Sequence, residues 1–171
     1  ENRIAYRDSV IGGSGKIRRI AHDSDIELLK ESIALKDNRT DTYLSFTNIT
    51  NEDMFFGQPI YSANNLEADF ADASNTNKKK VIGLVSDNIV LSNRGSGHLL
   101  TAGLLTGTIE QWEFVTGMVG GLVPDTKYFL DITPGKMTMS PPTDDGQYIC
   151  LLGTAVTQTI FMIRIERSIR I

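Results

Sequence analysis

The side chains that most often carry chemistry are sparse in this chain: two histidines, His22 and His98, and one cysteine, Cys150, among 171 residues. Imidazole is the usual general base and metal ligand near neutral pH, so each histidine needs a partner at helical or hairpin spacing before it marks a site. Neither has one. His22 stands in His22-Asp23-Ser24-Asp25, where Ser24 with Glu27 reads better as a capping box that opens a helix. His98 follows a glycine-rich turn at a strand start, which is a surface position. No G-x-S-x-G elbow marks a nucleophilic serine, and Cys150 lies in an alternating strand, where a thiol behaves as a small buried hydrophobe. The expectation is no catalytic, cofactor-binding or metal-ligating residue, and a protein that is not an enzyme.

Three further patterns suggest sites and are better read otherwise. Gly12-Gly13-Ser14-Gly15-Lys16 has the glycines of a phosphate loop but not its full spacing, and Ile17 stands where the magnesium-binding hydroxyl belongs. Asp144 and Asp145 are adjacent and followed by Gly146, which suits a turn; calcium loops spread their oxygen ligands over alternating positions. Lys78-Lys79-Lys80 is a short basic run beside a strand, read as a solvated edge rather than an anion site. Asn38-Arg39-Thr40 and Asn48-Ile49-Thr50 are formal glycosylation sequons, weak patterns by themselves.

The charge balance, 17 basic against 21 acidic residues for a net −4, gives no electrostatic reason to expect nucleic acid or an anionic membrane as partner. No apolar run approaches the roughly 20 residues that span a bilayer. One cysteine excludes an intramolecular disulfide. The first residues lack the basic-then-apolar plan of a signal peptide, and the chain starts at Glu1 rather than Met, so localisation is not read from this end.

The elements that must position any site read as mostly strands. Residues 1–16 are polar and glycine-rich, the composition of an extended arm, and Ile26, Leu29 and Ile33 form the apolar stripe of one candidate short helix. From Thr42 onward turns recur about every ten residues, as expected of an all-β sandwich or barrel. Thr42 to Ile49 is one strand, Gly57 to Tyr61 a turn entering another, Ser62 to Lys80 a long surface loop anchored by Leu66 and Phe70, and Val81 to Val85 a strand. His98 to Thr106 and Thr108 to Val115 follow as strands, the latter with Trp112 and Phe114 on one side. Lys127 to Leu130 is a short strand, Thr133-Pro134-Gly135-Lys136 has type II turn chemistry, and Lys136 to Ser140 alternates until Pro141-Pro142 stops it. Gln147 to Leu152 and Thr157 to Glu166 are strands joined at Gly153-Thr154-Ala155, the last with Phe161, Ile163 and Ile165 facing the core. The fold class is therefore all-β, a mainly antiparallel β-sandwich or barrel, with an N-terminal arm and attachment region over residues 1–54 and a β-domain over 55–171.

The pattern G-L-x-P-x-x-x-Y-F-L-D-x-T-P-G-K-x-T-x-x-P-P-T-x-x-G, then G-T-A, runs from Gly121 through Tyr128, Pro134-Gly135, Pro141-Pro142 and Gly146 to Gly153-Thr154-Ala155. It resembles a β-domain of tailed-bacteriophage virion proteins: capsid decoration, head-fibre and tail-fibre modules. Gly57 to Tyr61, Val81 to Val85 and Gly95-Ser96-Gly97 look like earlier elements of the same module, and residues 1–54 match none of it. The resemblance implies a structural role on the virion, in many copies, with a homo-oligomer (trimer preferred) and the major capsid protein or other virion proteins as partners. Ile160 and Met162, or Trp112 and Phe114, are the expected contact surfaces. The alternative it implies is a tail-fibre or head-fibre module, in which Trp112 or Tyr61 stacks on host surface glycan.

Overall fold

The computed structural model describes residues 42–171. Every described residue belongs to one compact unit that begins at residue 39. The expected arm, the candidate helix from Ser24, His22, the Gly12 to Lys16 stretch and the Asn38 sequon lie outside the described residues.

A closed five-stranded barrel is built first. Strand β1 (Tyr43–Asn48) lies between β3 (Glu67–Phe70) and β5 (Ser96–Leu100), and β2 (Pro59–Asn64) and β4 (Gly83–Val85) complete the ring. All pairings are antiparallel except β1 with β3, where Thr47 and Asn48 lie opposite Glu67 and Ala68. Inward alternation along β3 puts Ala68 and Phe70 in the barrel and leaves Glu67 and Asp69 outside. Phe46, Met54, Ile60, Val85, Leu91 and Leu99 fill the rest of the interior.

The second sheet runs in the order β6 (Ala102–Thr106), β11 (Ile160–Arg164), β10 (Leu151–Ala155), β7 (Lys127–Leu130) and β8 (Met137–Thr138), with every neighbour antiparallel. A small third sheet pairs β9 (Tyr148–Ile149) with β12 (Ile169–Arg170). The one helix among the described residues, α1 (Ile109–Thr116), joins β6 to the loop before β7. Leu84 and Leu100 of the barrel, Trp112 and Val115 of α1, and Tyr128, Leu130, Leu152, Phe161 and Ile163 of the second sheet form a continuous second core. Burying such large apolar side chains is the main favourable term for docking sheet on barrel, at about 25 cal/mol per Å² removed from water.

The all-β expectation holds, and so do the turns at Gly135 and Gly146, where the Lys136 and Gln147 amides close back on the carbonyls of Thr133 and Asp144. Five local expectations change. Residues 108–115 are helical, because Thr108 and Gln111 form a reciprocal capping box and Gly117, at φ +69°, ends the helix. The 62–80 segment is not one loop, since it carries β3; its small Ala68 and Ala71 hid a buried alternation, and Leu66 is exposed. Residues 98–106 bend at Thr101 into β5 and β6, which lie in different sheets. Gly153-Thr154-Ala155 is strand rather than connector, and the turn falls after it. Finally, β1 precedes the boundary placed after residue 54, so the β-domain extends upstream of residue 55.

Candidate functional site

A concave surface lies where the loop between β1 and β2 faces α1 and the Thr133 to Lys136 turn. Asn48 and Thr50 make that loop stiff. The buried Asn48 side chain donates to the carbonyls of Leu91 (2.7 Å) and Glu52 (3.0 Å) and accepts from the Thr50 amide (2.8 Å) and hydroxyl (2.7 Å). The Thr50 hydroxyl lies 2.6 Å from the Glu52 carbonyl and accepts from the Glu52 amide. Gln58, also buried, accepts from the Phe55 amide at 2.7 Å. Every side chain in this knot has its partners, and among the described residues no buried side-chain polar atom is left without one.

The opposite wall is held by the turn. The Gly135 amide donates to Ala71, the Ala73 amide donates to Asp131, and a Cβ at Gly135 would come within 2.7 Å of the Phe70 ring. Only glycine permits that approach together with φ +69°. The turn thereby presses the second sheet against the barrel and delivers Lys136 to α1. Its ammonium lies 3.7 Å from the centroid of the Phe114 ring and donates to the Phe114 carbonyl near the helix C-terminus, where positive charge is favoured. Burial nevertheless pushes the Lys136 amine below the usual lysine range.

Between these walls Phe55 and Phe114 pack with ring centroids 4.7 Å apart and planes tilted by 54°. The pair separates two adjoining clefts. The larger, about 660 Å³, is lined by Glu52, Asp53, Phe55, Phe114, Pro134 and Lys136, with the Asp69 to Lys78 ion pair (2.7 Å) at its far side. The smaller, about 260 Å³, continues over Phe55 and Phe114 to Ile89, Val90 and Glu110. Ile89 and Val90 are 67% and 53% exposed. The lining offers apolar contact with carboxylates at its rim. It brings together no nucleophile with a base, and no group of three His, Cys, Asp or Glu side chains among the described residues is arranged to hold a metal.

The residues singled out from sequence lie elsewhere. His98 is exposed, with its amide donating to Asp87 (2.6 Å) and its ring Nδ1 3.2 Å from the same carboxylate. Asp144 accepts from the Gln147 amide side chain (3.1 Å) across the Gly146 turn. Cys150 is buried, and burial raises its thiol above the usual range. The lysine run divides: Lys78 pairs with Asp69, Lys79 lies 3.7 Å from the Tyr148 ring centroid, and Lys80 is exposed. Asn48 is fully buried, so its sequon serves the loop knot rather than a glycan. The expected Trp112 and Phe114 surface also splits. Trp112 is fully buried, its indole N–H donating to the Thr159 carbonyl (3.0 Å), whereas Phe114 is 44% exposed. Trp112 therefore cannot stack on a glycan, and a strand alternation had paired two residues that a helix places on different faces. On β11 Met162 is exposed and Ile160 partly so.

Phe55, Ile89 and Val90 carry no motif or spacing that marks them in the sequence. Their clustering at the cleft depends on the closure of the barrel, and the only sequence signal was apolar side chains beside turn residues. Comparison of the chain with models of known protein families gives no match, and no curated protein matches it either.

Proposed function

We propose that this chain is a non-enzymatic structural component of a bacteriophage virion, which decorates or stabilises the capsid as a homo-oligomer through its β-domain and its N-terminal residues. The observation that carries the reading is the distribution of apolar side chains. The largest aromatic, Trp112, is spent inside the core, while aliphatic side chains such as Met162, Ile89 and Val90 face outward on strands and loops. Outward aliphatic surface suits protein-to-protein packing. The resemblance of residues 121–155 to virion β-domains supports the same reading, since its Gly135, Gly146 and Gly153 all occupy positive-φ positions that the fold requires.

The alternative, a fibre module that binds host surface glycan, loses one of its two stacking candidates with the burial of Trp112 and keeps the half-buried Tyr61, beside exposed rings such as Phe114. The test is binding of the purified protein to capsid shells or virions that lack it, beside binding to host-cell surface material. Saturable binding to particles supports decoration. Binding to cell-surface glycan with no affinity for particles overturns it.

A further inference from the structure

Two exposed features of the described structure are complementary in charge and in apolar character. The first is the double cleft, apolar along Phe55, Phe114, Ile89 and Val90, with Glu52, Asp53 and Glu110 around it. Glu52 and Asp53 are exposed and make no ion pair among the described residues. The one lysine in the middle of the cleft, Lys136, is committed to Phe114, and Lys78 is committed to Asp69. The rim therefore presents net negative charge beside bare hydrocarbon, in want of a cationic and apolar occupant.

The second feature is the segment 167–171 around β12. Arg167 and Arg170 are exposed, and Ile169 between them is 67% exposed. A further cation stands beside it: the Ser168 hydroxyl donates to the Lys79 carbonyl at 2.8 Å, and Lys79 lies over Tyr148, which is opposite Arg170 in the β9 to β12 ladder. The lowered Tyr148 hydroxyl, caused first by its hydrogen bond to Thr76 and then by Lys79, is consistent with positive potential there. Glu166, Asp144 and Asp145 are the nearest acids in sequence, yet Arg167, Arg170, Lys79 and Lys80 make no ion pair among the described residues. On a chain of net charge −4 this is a local reversal of sign. None of the four cations lines either cleft, so the two features are separate surfaces of the molecule.

We propose that the acid-rimmed apolar cleft at Phe55 and Phe114 receives the basic, isoleucine-bearing segment 167–171 of a second copy of this chain. Ile169 enters the apolar floor, while Arg167 and Arg170 of one copy meet Glu52 and Asp53 of the next. Two different patches in contact make a head-to-tail interface, which closes into a ring when the rotation per subunit allows. The complementary charges set encounter rate and register, and the apolar floor supplies contact area. The contact rests on the proposed function only in taking a second copy as the partner, and it is the interface through which that homo-oligomer forms.

The test is the mass of the full chain in solution, by light scattering and sedimentation equilibrium, for wild type and three variants. The variants are R167E/R170E, E52K/D53K and the fourfold combination; all four positions are exposed, and circular dichroism checks that each variant folds. Wild type is expected to form a discrete oligomer that weakens about tenfold or more between about 0.1 M and about 1 M salt. Each double reversal is expected to weaken association by at least that factor, and the fourfold variant, with both signs exchanged, to restore it. A monomeric wild type, an oligomer indifferent to either reversal, or a fourfold variant no better than the doubles overturns the contact. Particle binding by the same proteins keeps the two readings apart: a monomer that saturates particles removes the contact and keeps the virion role, and an oligomer that ignores particles does the reverse.

Discussion

Lys136 and Phe114 are joined twice, by an ammonium 3.7 Å from the ring centroid and by a hydrogen bond from the same ammonium to the Phe114 carbonyl. This pair ties the turn between β7 and β8 to the last turn of α1, and so holds one wall of the cleft. Lys136→Ala is expected to cost about 1 kcal/mol, or about 2 to 4 °C in Tm, and to loosen the cleft. Lys136→Met, which keeps the stem, should cost less. Thermal unfolding of the two variants against wild type checks the order.

The same lysine makes stability depend on pH with a definite sign. Its amine is lowered from the ordinary 10.5 by burial, so between its folded value and 10.5 the unfolded chain binds more protons than the folded one. Stability therefore rises with pH in that window, as the cost of holding the buried charge is relieved. Denaturant titrations of wild type and Lys136→Met at about pH 8 and about pH 10 should show the difference moving in favour of wild type at the higher pH. Movement the other way would mean that the contacts to Phe114 outweigh burial.

Trp112 sits between Phe56 and Phe161, with centroids at 5.4 and 5.7 Å, and bonds the Thr159 carbonyl. Trp112→Ala is expected to cost about 3 to 5 kcal/mol, through lost burial and a cavity between α1 and the second sheet. Trp112→Phe should cost less, the Thr159 carbonyl losing the indole donor but keeping the Gly107 amide. Chemical denaturation measures both, and quenching of tryptophan fluorescence by a polar quencher should be weak until the protein unfolds.

Asn48 serves four hydrogen bonds from a position with no solvent exposure. Asn48→Ala takes the acceptor from the Thr50 amide and one of two donors from the Leu91 carbonyl, which keeps the Met54 amide, and is expected to cost about 1 to 3 kcal/mol. Asn48→Asp keeps the acceptor but loses both donations and buries a charge, so it should be at least as damaging near neutral pH. Hydrogen exchange of the Thr50 and Glu52 amides reads the loss directly.

Cys150 is about 1% exposed, and burial raises its thiol. A raised thiol pKa means that the unfolded chain ionises first as pH climbs, so the thiol favours the folded state less as pH passes its unfolded value. Labelling by a maleimide in native buffer should follow the opening of the fold and become fast only in denaturant. Rapid labelling of native protein would contradict the burial.

What the sequence determined by itself was local: strands where β-branched and aromatic residues alternate, and turns where Pro134-Gly135 and Asp145-Gly146 leave the backbone little choice. It also contained the helix, since Thr108 and Gln111 stand at capping-box spacing, but an apparent alternation of Trp112 and Phe114 masked it. Long-range pairing was decided only by the tertiary structure. The parallel match of β1 with β3, the passage of residues 98–106 between two sheets, and the meeting of Phe55 with Phe114 join positions far apart in the chain. Period-two patterning tells a strand which face is buried, not which neighbour it pairs with. The cleft belongs to that second kind of information, because its walls exist only once the barrel has closed and Gly135 has packed against Phe70.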